Sequence, residues 1–234
     1  MGANSFGRFF TLTTFGESRS AGVGAVIDGC PAGIPLCAED IQKELNRRKP
    51  GSSGLFSTKR NEDDLCEILS GVFEGKTLGS PIAVLVRNRE TSSKDYENLK
   101  DVYRPGHADY AYDVKYEHWD YRGGGRSSGR ETIGRLIGGA VAKKLLEAFA
   151  LKAGKKPIEV QVRAEEIAGL KTEVPLKEDD VLPEPIFERL STLASKGDSA
   201  GCVLSCSLLN VPEGLGSPVF GKLDAVLSQA LMSI

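Results

Sequence analysis

The segment over residues 120–135, DYRGGGRSSGRETIGR, constrains the chain most, because it places a glycine run and four arginines directly before a long helical pattern. The three consecutive glycines at 123–125 allow the backbone to take positive φ and to approach a ligand closely. Ser128 and Glu131 form a Ser-x-x-Glu capping box, which predicts a helix start with free N–H groups facing outward. The segment therefore predicts an anion-binding site.

Arg126 and Arg130 are four residues apart, so they are predicted to lie on one side of this turn and to bind the same phosphate or carboxylate. A solvated arginine-rich turn is the plainer alternative, but such a turn needs neither three glycines nor a capped helix. A Walker loop is excluded because Arg126 stands where that loop requires lysine, and the dinucleotide motif lacks its third glycine and its preceding strand. The residues alone leave the anion unidentified.

Composition narrows the class of protein. A net charge of −2 over 234 residues argues against a nucleic-acid or membrane-surface binder, and it disfavours an RNA-binding module as well. The five cysteines are odd in number and form no C-x-x-C pair, which argues against a disulfide framework or a metal site and favours a cytoplasmic protein. No stretch approaches the roughly 18 apolar residues of a membrane span.

The hydrophobic patterns alternate between strand and helix periods. Strands are predicted over 5–14, 24–27, 67–73, 82–86, 158–163 and 202–211. Helices are predicted over 38–48, 129–150, 185–196 and 219–234. This alternation predicts an α/β protein with layered sheets and helices, a β-α-β sandwich.

A short repeat indicates how the chain is organised. Residues 26–34 and 208–215 both end an apolar run with Pro-x-Gly and Ile or Leu, and both precede a helical pattern. The match predicts an internal duplication whose second half is incomplete. The last helical pattern has no Gly, Asn or Pro stop signal, so we expect one domain over 1–234 that is truncated at its C-terminus.

Two further basic segments carry candidate chemistry. The turn at 104–109, RPGHAD, sets His107 beside an arginine, and histidine is suited to proton transfer near neutral pH. Arg47 and Arg48 end a predicted helix, where the helix dipole alone would favour them, so binding and helix stabilisation both remain open. His118 is predicted to be a surface or packing histidine.

Five sequence blocks together resemble chorismate synthase. They are FGES (15–18), IDGCPAG (27–33), ILSGVFEG (68–75), YRPGHAD (103–109) and YRGGGRSS (121–128). The resemblance covers the whole chain and includes the segment 230–234. Members of this family continue for a further third of their length, so the chain resembles their N-terminal part.

The resemblance implies a carbon-oxygen lyase of the shikimate pathway, which makes the precursor of the aromatic amino acids. Its reaction is the 1,4-anti elimination of phosphate from 5-enolpyruvylshikimate 3-phosphate, which gives chorismate. The family uses reduced FMN, with NADPH as a candidate reductant, and is a cytoplasmic homotetramer. A substrate with one phosphate and two carboxylates explains the arginines, whose guanidinium groups bind such anions in a bidentate manner.

The resemblance also assigns roles to individual residues. The substrate-binding positions are Arg48, Arg104 and Arg130. The flavin-binding positions are Arg126, Ser127 and Ser128, with Arg48 shared between the two groups. Ser18 lines the substrate site, and His107 stands where a histidine protonates the reduced flavin.

Three positions depart from the family pattern. The family has Gly-Glu-Ser-His-Gly where this chain has Arg19 and Ser20 in the last two places, and Gly54 replaces a basic residue. Arginine keeps its proton at all accessible pH values, so Arg19 could stabilise a departing phosphate but could not protonate it. A catalytically inactive or impaired, anion-binding remnant is therefore the alternative to an active enzyme.

Overall fold

The computed structural model describes residues 2–49, 56, 62–89, 94–178 and 180–234. Its strands are β1 (Ser5–Gly7), β2 (Thr11–Gly16), β3 (Gly22–Asp28), β4 (Cys66–Ser70), β5 (Val72–Phe73), β6 (Lys76–Thr77), β7 (Ile82–Arg87), β8 (Glu159–Ile167), β9 (Leu170–Leu176) and β10 (Cys202–Leu209). Its α-helices are α1 (Ala38–Arg48), α2 (Asp109–Tyr116), α3 (Thr132–Lys152), α4 (Glu184–Ser195) and α5 (Leu223–Leu231). Gly54 lies outside the described residues. No described helix combines the length and the apolar character that a membrane span requires.

A five-stranded antiparallel sheet, in the order β1-β2-β3-β7-β4, carries the hydrophobic core. Alternate side chains of its central strands point to one face, as the two-residue period of a strand requires. The fully buried residues Ile27 of β3 and Val84 of β7 belong to this face. Helices α1 and α3 cover it with Ile41, Leu45 and Ile137, which are also fully buried.

Helix α3 lies very close to β2 because two of its glycines face that strand. A Cβ atom at Gly134 would lie 2.5 Å from Cγ2 of Thr14, and one at Gly138 would lie 2.8 Å from Cδ2 of Leu12. Any larger residue at either position would push the helix away from the sheet. The close approach fixes the start of α3, and the loop before it, against β2.

A second, three-stranded antiparallel sheet has the order β10-β8-β9. The predicted mixed α/β class is confirmed. Cys202 and Cys206 lie in β10, but both are exposed.

Several predicted elements differ from the structure. The single strand predicted over 5–14 is the hairpin of β1 and β2, because Gly7 takes a φ of 102° and reverses the chain. The strand predicted over 67–73 is divided at Gly71, which has a φ of 85°. Helix α2 and strand β9 were not predicted, and the last helix starts at Leu223 rather than at residue 219.

The two repeat segments have the same local structure. Strand β3 leads through Gly33, with a φ of 85°, to α1, and strand β10 leads through Gly214, with a φ of 81°, to α5. Both glycines occupy a left-handed conformation that other residues rarely adopt. The internal duplication and the single domain over 1–234 remain predictions.

Candidate functional site

The segment over 120–135 begins the helix later than the capping box predicts. Two short 3-10 turns, Gly125–Ser127 and Gly129–Glu131, flank Ser128, whose backbone is extended (φ −72°, ψ 143°). The Ser128 hydroxyl accepts the N–H of Arg130 at 3.2 Å, so the serine does cap the turn. Glu131, the second residue of the predicted capping box, accepts a hydrogen bond from Arg126 at 2.5 Å with its carboxylate. Helix α3 starts at the next residue, Thr132.

Arg126 and Arg130 do not converge on one anion, which corrects the prediction from their spacing. The extended residue between them breaks the helical geometry that would place them on one side. Arg126 donates to Oγ1 of Thr14 at 2.7 Å and to Oδ1 of Asn4 at 2.9 Å, on the side of β2. Arg130 is directed into the protein and is 3% exposed.

A buried carboxylate joins two of the predicted substrate-binding arginines. Oδ1 of Asp64 lies 2.8 Å from Nη1 of Arg130, and Oδ2 of Asp64 lies 3.1 Å from Nη1 of Arg48. The Asp64 side chain is fully buried, and its backbone has a φ of 47°. Breaking such a pair would leave a buried charge uncompensated, so this contact fixes both guanidinium groups. No periodic pattern in the sequence marks Asp64 as a site residue.

The turn at residues 17–20 is held by hydrogen bonds from its own side chains and from Asn88. Nδ2 of Asn88 donates to the carbonyl oxygens of Glu17 at 3.0 Å and Ser20 at 2.8 Å. The Ser20 hydroxyl accepts the N–H of Glu17 at 3.0 Å and donates to the carbonyl of Gly22 at 2.9 Å. Ser20, which stands where the family has glycine, therefore stabilises this turn.

Arg104 lies beside the glycine run. Its guanidinium group donates two bonds of 2.8 Å to Asp109 and one of 2.7 Å to the carbonyl oxygen of Gly123. Hydrogen bonds from Arg104 hold the pKa of Asp109 below its usual value, and the same bonds raise the pKa of Arg104. The contact joins the turn before α2 to the glycine run, which are separate motifs in the sequence.

Ser18 and Arg19 meet the glycine run at the same residue. A Cβ atom at Gly123 would lie 2.9 Å from Oγ of Ser18 and 3.1 Å from Cγ of Arg19, and Gly123 has a φ of 79°. Arg19 donates from Nη2 to the hydroxyl of Tyr96 at 3.0 Å. We call these residues, Ser18, Arg19, Tyr96, Arg104 and Gly123, the Gly123 cluster.

The remaining predicted site residues are more open. His107 is exposed in the turn before α2, and its backbone N–H donates to the carbonyl oxygen of Arg104 at 3.2 Å. Ser127 is exposed, and Ser128 uses its hydroxyl to cap the turn. The structure therefore brings His107 near the Gly123 cluster through the backbone of Arg104 and beside Asp109.

An open cleft of about 1030 Å³ borders the Gly123 cluster. Its aromatic lining consists of Phe15, Tyr112, Tyr116, Trp119 and Tyr121. The glycine run and Arg126 form part of its polar lining, together with His118. His118 is exposed, as predicted for a surface histidine, and it lines this cleft. The flat aromatic groups suit a planar ligand. The charged lining is mixed, with Arg122 and Arg126 as candidate contacts for an anionic group beside the carboxylates of Glu17, Asp109 and Asp120.

Comparisons with known proteins identify relatives along nearly the whole chain. The family model described as chorismate synthase matches residues 10–234. The chorismate synthase of Treponema denticola is 90% identical over 234 residues, and that of Thermosynechococcus vestitus is 49% identical over 239 residues. These alignments cover 100% and 99% of this chain but 65% and 66% of those proteins. The chain thus spans about 65% of the length of these curated relatives.

A solved structure shows the same fold. It is described as a crystal structure of chorismate synthase, and it superposes with a TM-score of 0.73 at 32% sequence identity. The match covers 97% of this chain and 66% of that one.

Proposed function

This chain belongs to the chorismate synthase family, and we propose that it catalyses the family reaction, the 1,4-anti elimination of phosphate from 5-enolpyruvylshikimate 3-phosphate to give chorismate. This would make it a carbon-oxygen lyase at the last common step of aromatic amino acid biosynthesis. The observation that carries the proposal is the meeting of Ser18, Arg19 and Arg104 at Gly123, beside the aromatic cleft.

The substrate would bind through the arginines. We propose that Arg104 and Arg48 bind its phosphate and carboxylates, with Arg130 behind them. Asp109 and Asp64 accept hydrogen bonds from these three arginines. An incoming anion would compete for the same donors, which favours a multiply charged substrate over a singly charged one.

Ser18 supports this placement of the substrate. Its hydroxyl is 3% exposed and has no hydrogen-bond partner among the described residues. A buried hydroxyl in this state is destabilising, and a ligand oxygen at the Gly123 cluster would satisfy it. We propose Ser18 as a direct contact of the substrate.

The residues present also fit FMN. The cleft of about 1030 Å³ is large enough for a flavin, and its aromatic lining matches a flat ring system. We propose Arg126, Ser127 and Ser128, together with Arg48, as flavin contacts. When bound, reduced FMN would supply electron density to the elimination with no net redox change. NADPH is the candidate reductant.

Two further residues would assist the elimination, one by proton transfer and one by its positive charge. His107 would exchange a proton with the bound flavin, because an imidazole can both donate and accept a proton. Arg19 would stabilise the charge of the departing phosphate as a fixed cation. It cannot donate a proton to the phosphate, so this chain would be slower than a member with histidine at that position.

An anaerobic assay of chorismate formation from the phosphorylated substrate with reduced FMN tests the proposal. We expect slow turnover by the unmodified chain, and a rate about 10²- to 10⁴-fold higher for Arg19→His if the histidine restores an acid. Arg47→His is the matched control, because Arg47 pairs with Glu44 and Glu178 at the surface. Its rate should equal that of the unmodified chain.

Absence of turnover in both the unmodified chain and Arg19→His would overturn the proposal. The comparisons give no support to the alternative of a non-catalytic remnant, and turnover by the unmodified chain would end it. We also propose a cytoplasmic homotetramer, whose mass can be measured by light scattering after size-exclusion chromatography.

A further inference from the structure

We infer that Tyr96 is a positioning residue of the substrate site, which holds Arg19 and Arg104 beside the Ser18 hydroxyl so that both guanidinium groups serve the phosphate of the substrate. The inference rests on the proposed function. Tyr96 belongs to none of the sequence blocks that resemble the family, and the evidence for its role is its contacts in the folded chain.

Tyr96 contacts both arginines through different parts of its side chain. It lies in the short 3-10 helix Lys94–Leu99. Its hydroxyl accepts a hydrogen bond from Nη2 of Arg19 at 3.0 Å, and Cζ of Arg19 lies 5.3 Å from the ring centroid. Cζ of Arg104 lies 5.9 Å from the same centroid. Both guanidinium groups are therefore within the range of cation–π attraction to one ring.

The chemistry of this contact differs from that of the carboxylate pairs. Asp64 and Asp109 neutralise the arginines that they position, whereas a phenol is uncharged. Tyr96 therefore orients Arg19 without contributing a negative charge. A phosphate placed next to both guanidinium groups could accept hydrogen bonds from each of them.

The Gly123 cluster locates the anion. Ser18 and Arg19 face Gly123, and Arg104 bonds to the carbonyl oxygen of that same residue at 2.7 Å. The buried hydroxyl of Ser18 has no hydrogen-bond partner among the described residues, so it could bind a ligand oxygen placed here. Tyr96 completes this arrangement, because its side chain contacts the guanidinium groups of both Arg19 and Arg104.

The test is a binding measurement, which does not depend on turnover. Isothermal titration with 5-enolpyruvylshikimate 3-phosphate, without flavin, gives the dissociation constant for the unmodified chain, Tyr96→Phe and Tyr96→Leu. We expect about fivefold weaker binding for Tyr96→Phe, which loses the hydroxyl alone. Tyr96→Leu also loses the ring and should bind about 20-fold more weakly. Tyr110→Phe is the control, because Tyr110 is 62% exposed and lies outside the cluster.

A double substitution separates positioning from a general structural effect. If Tyr96 acts through Arg19, Tyr96→Phe should change the dissociation constant less than twofold when Arg19 is already replaced by alanine. A purely structural role would lower the melting temperature and leave the substrate affinity of the folded protein unchanged. Either that result or equal effects in both backgrounds would overturn the inference.

The outcomes distinguish the inference from the proposed function. Substrate binding by the unmodified chain that Tyr96→Phe and Tyr96→Leu leave intact would overturn the role of Tyr96 and leave the proposed function standing. No substrate binding by the unmodified chain would contradict the proposed function. In that case titration with inorganic phosphate would still support Tyr96 if Tyr96→Phe weakened phosphate binding, and would overturn it if the affinities were equal.

Discussion

Nε of Arg130 donates to Oδ1 of Asn88 at 2.5 Å, while Nδ2 of the same amide holds the turn that carries Ser18 and Arg19. The side chain of Asn88, which directly follows β7, thus joins Arg130, just before α3, to the turn at residues 17–20. The connection explains how residues more than 100 positions apart in the chain keep a common geometry.

Replacement of Asn88 by alanine should destabilise the protein by about 1–3 kcal/mol, because it leaves Nε of Arg130 and two carbonyl oxygens without their partner in a buried place. Urea unfolding followed by circular dichroism would measure this free energy. The control is Asn98→Ala, since Asn98 is exposed and surface substitutions change stability by about 0.5 kcal/mol or less. Equal effects of the two substitutions would contradict the assigned role of Asn88.

Asp63 and Asp64 are neighbours in the chain, and they allow a direct comparison of a half-buried ion pair with a buried one. Asp64 is fully buried between Arg48 and Arg130, whereas Asp63 is half-buried and pairs with Lys49 and Arg89. We expect Asp64→Asn to lower the free energy of unfolding by about 3–5 kcal/mol, because the buried Arg130 and the partly buried Arg48 both lose this carboxylate. Asp63→Asn should cost about 1 kcal/mol or less. Similar costs in urea unfolding would show that Asp64 does not hold the two arginines.

The sequence predicted elements whose signals are local. Helix α1 was predicted at its observed bounds, because Ile41 and Leu45 keep helical spacing and charges of the right sign occupy its two ends. Strands β3 and β7 followed from short apolar runs bounded by turn residues.

The residues that organise the candidate site could not be predicted in this way. Asp64, Asn88 and Tyr96 are single polar residues whose partners lie 66, 42 and 77 positions away in the chain. No periodic pattern marks such contacts, since they exist only after the strands have paired. The spacing of Arg126 and Arg130 was misleading for a related reason, because the extended backbone at Ser128 interrupts the turn between them.

The Arg104–Asp109 pair predicts a pH dependence of stability. The pKa of Asp109 is lowered in the folded chain by its bonds to Arg104, so the ionised carboxylate stabilises the folded state at neutral pH. This contribution is complete above the unfolded pKa of about 4 and is lost as the pH falls further through the lower, folded pKa. The stability difference between the unmodified chain and Asp109→Asn should therefore shrink below about pH 4 in urea unfolding. A stability difference between these two proteins that stays constant from pH 7 to pH 3 would contradict this pH dependence.

Gly123 and Gly125 provide the sharpest test of the Gly123 cluster. Both take positive φ, 79° and 52°, so alanine is strained at either position by about 1–2 kcal/mol. A Cβ atom at Gly125 meets nothing within 4 Å, whereas one at Gly123 would lie 2.9 Å from the Ser18 hydroxyl and 3.1 Å from Cγ of Arg19. Gly123→Ala should therefore cost about 1–3 kcal/mol more than Gly125→Ala in urea unfolding.

The same pair of variants should differ in ligand affinity. Because an added methyl group at residue 123 must displace Ser18 and Arg19, Gly123→Ala is expected to weaken binding of the phosphorylated substrate at least tenfold, an effect that titration calorimetry on the folded variant can measure. Gly125→Ala leaves both side chains in place and should bind within about twofold of the unmodified chain. If the two variants bound the substrate equally well, Ser18 and Arg19 could not form the anion site at Gly123.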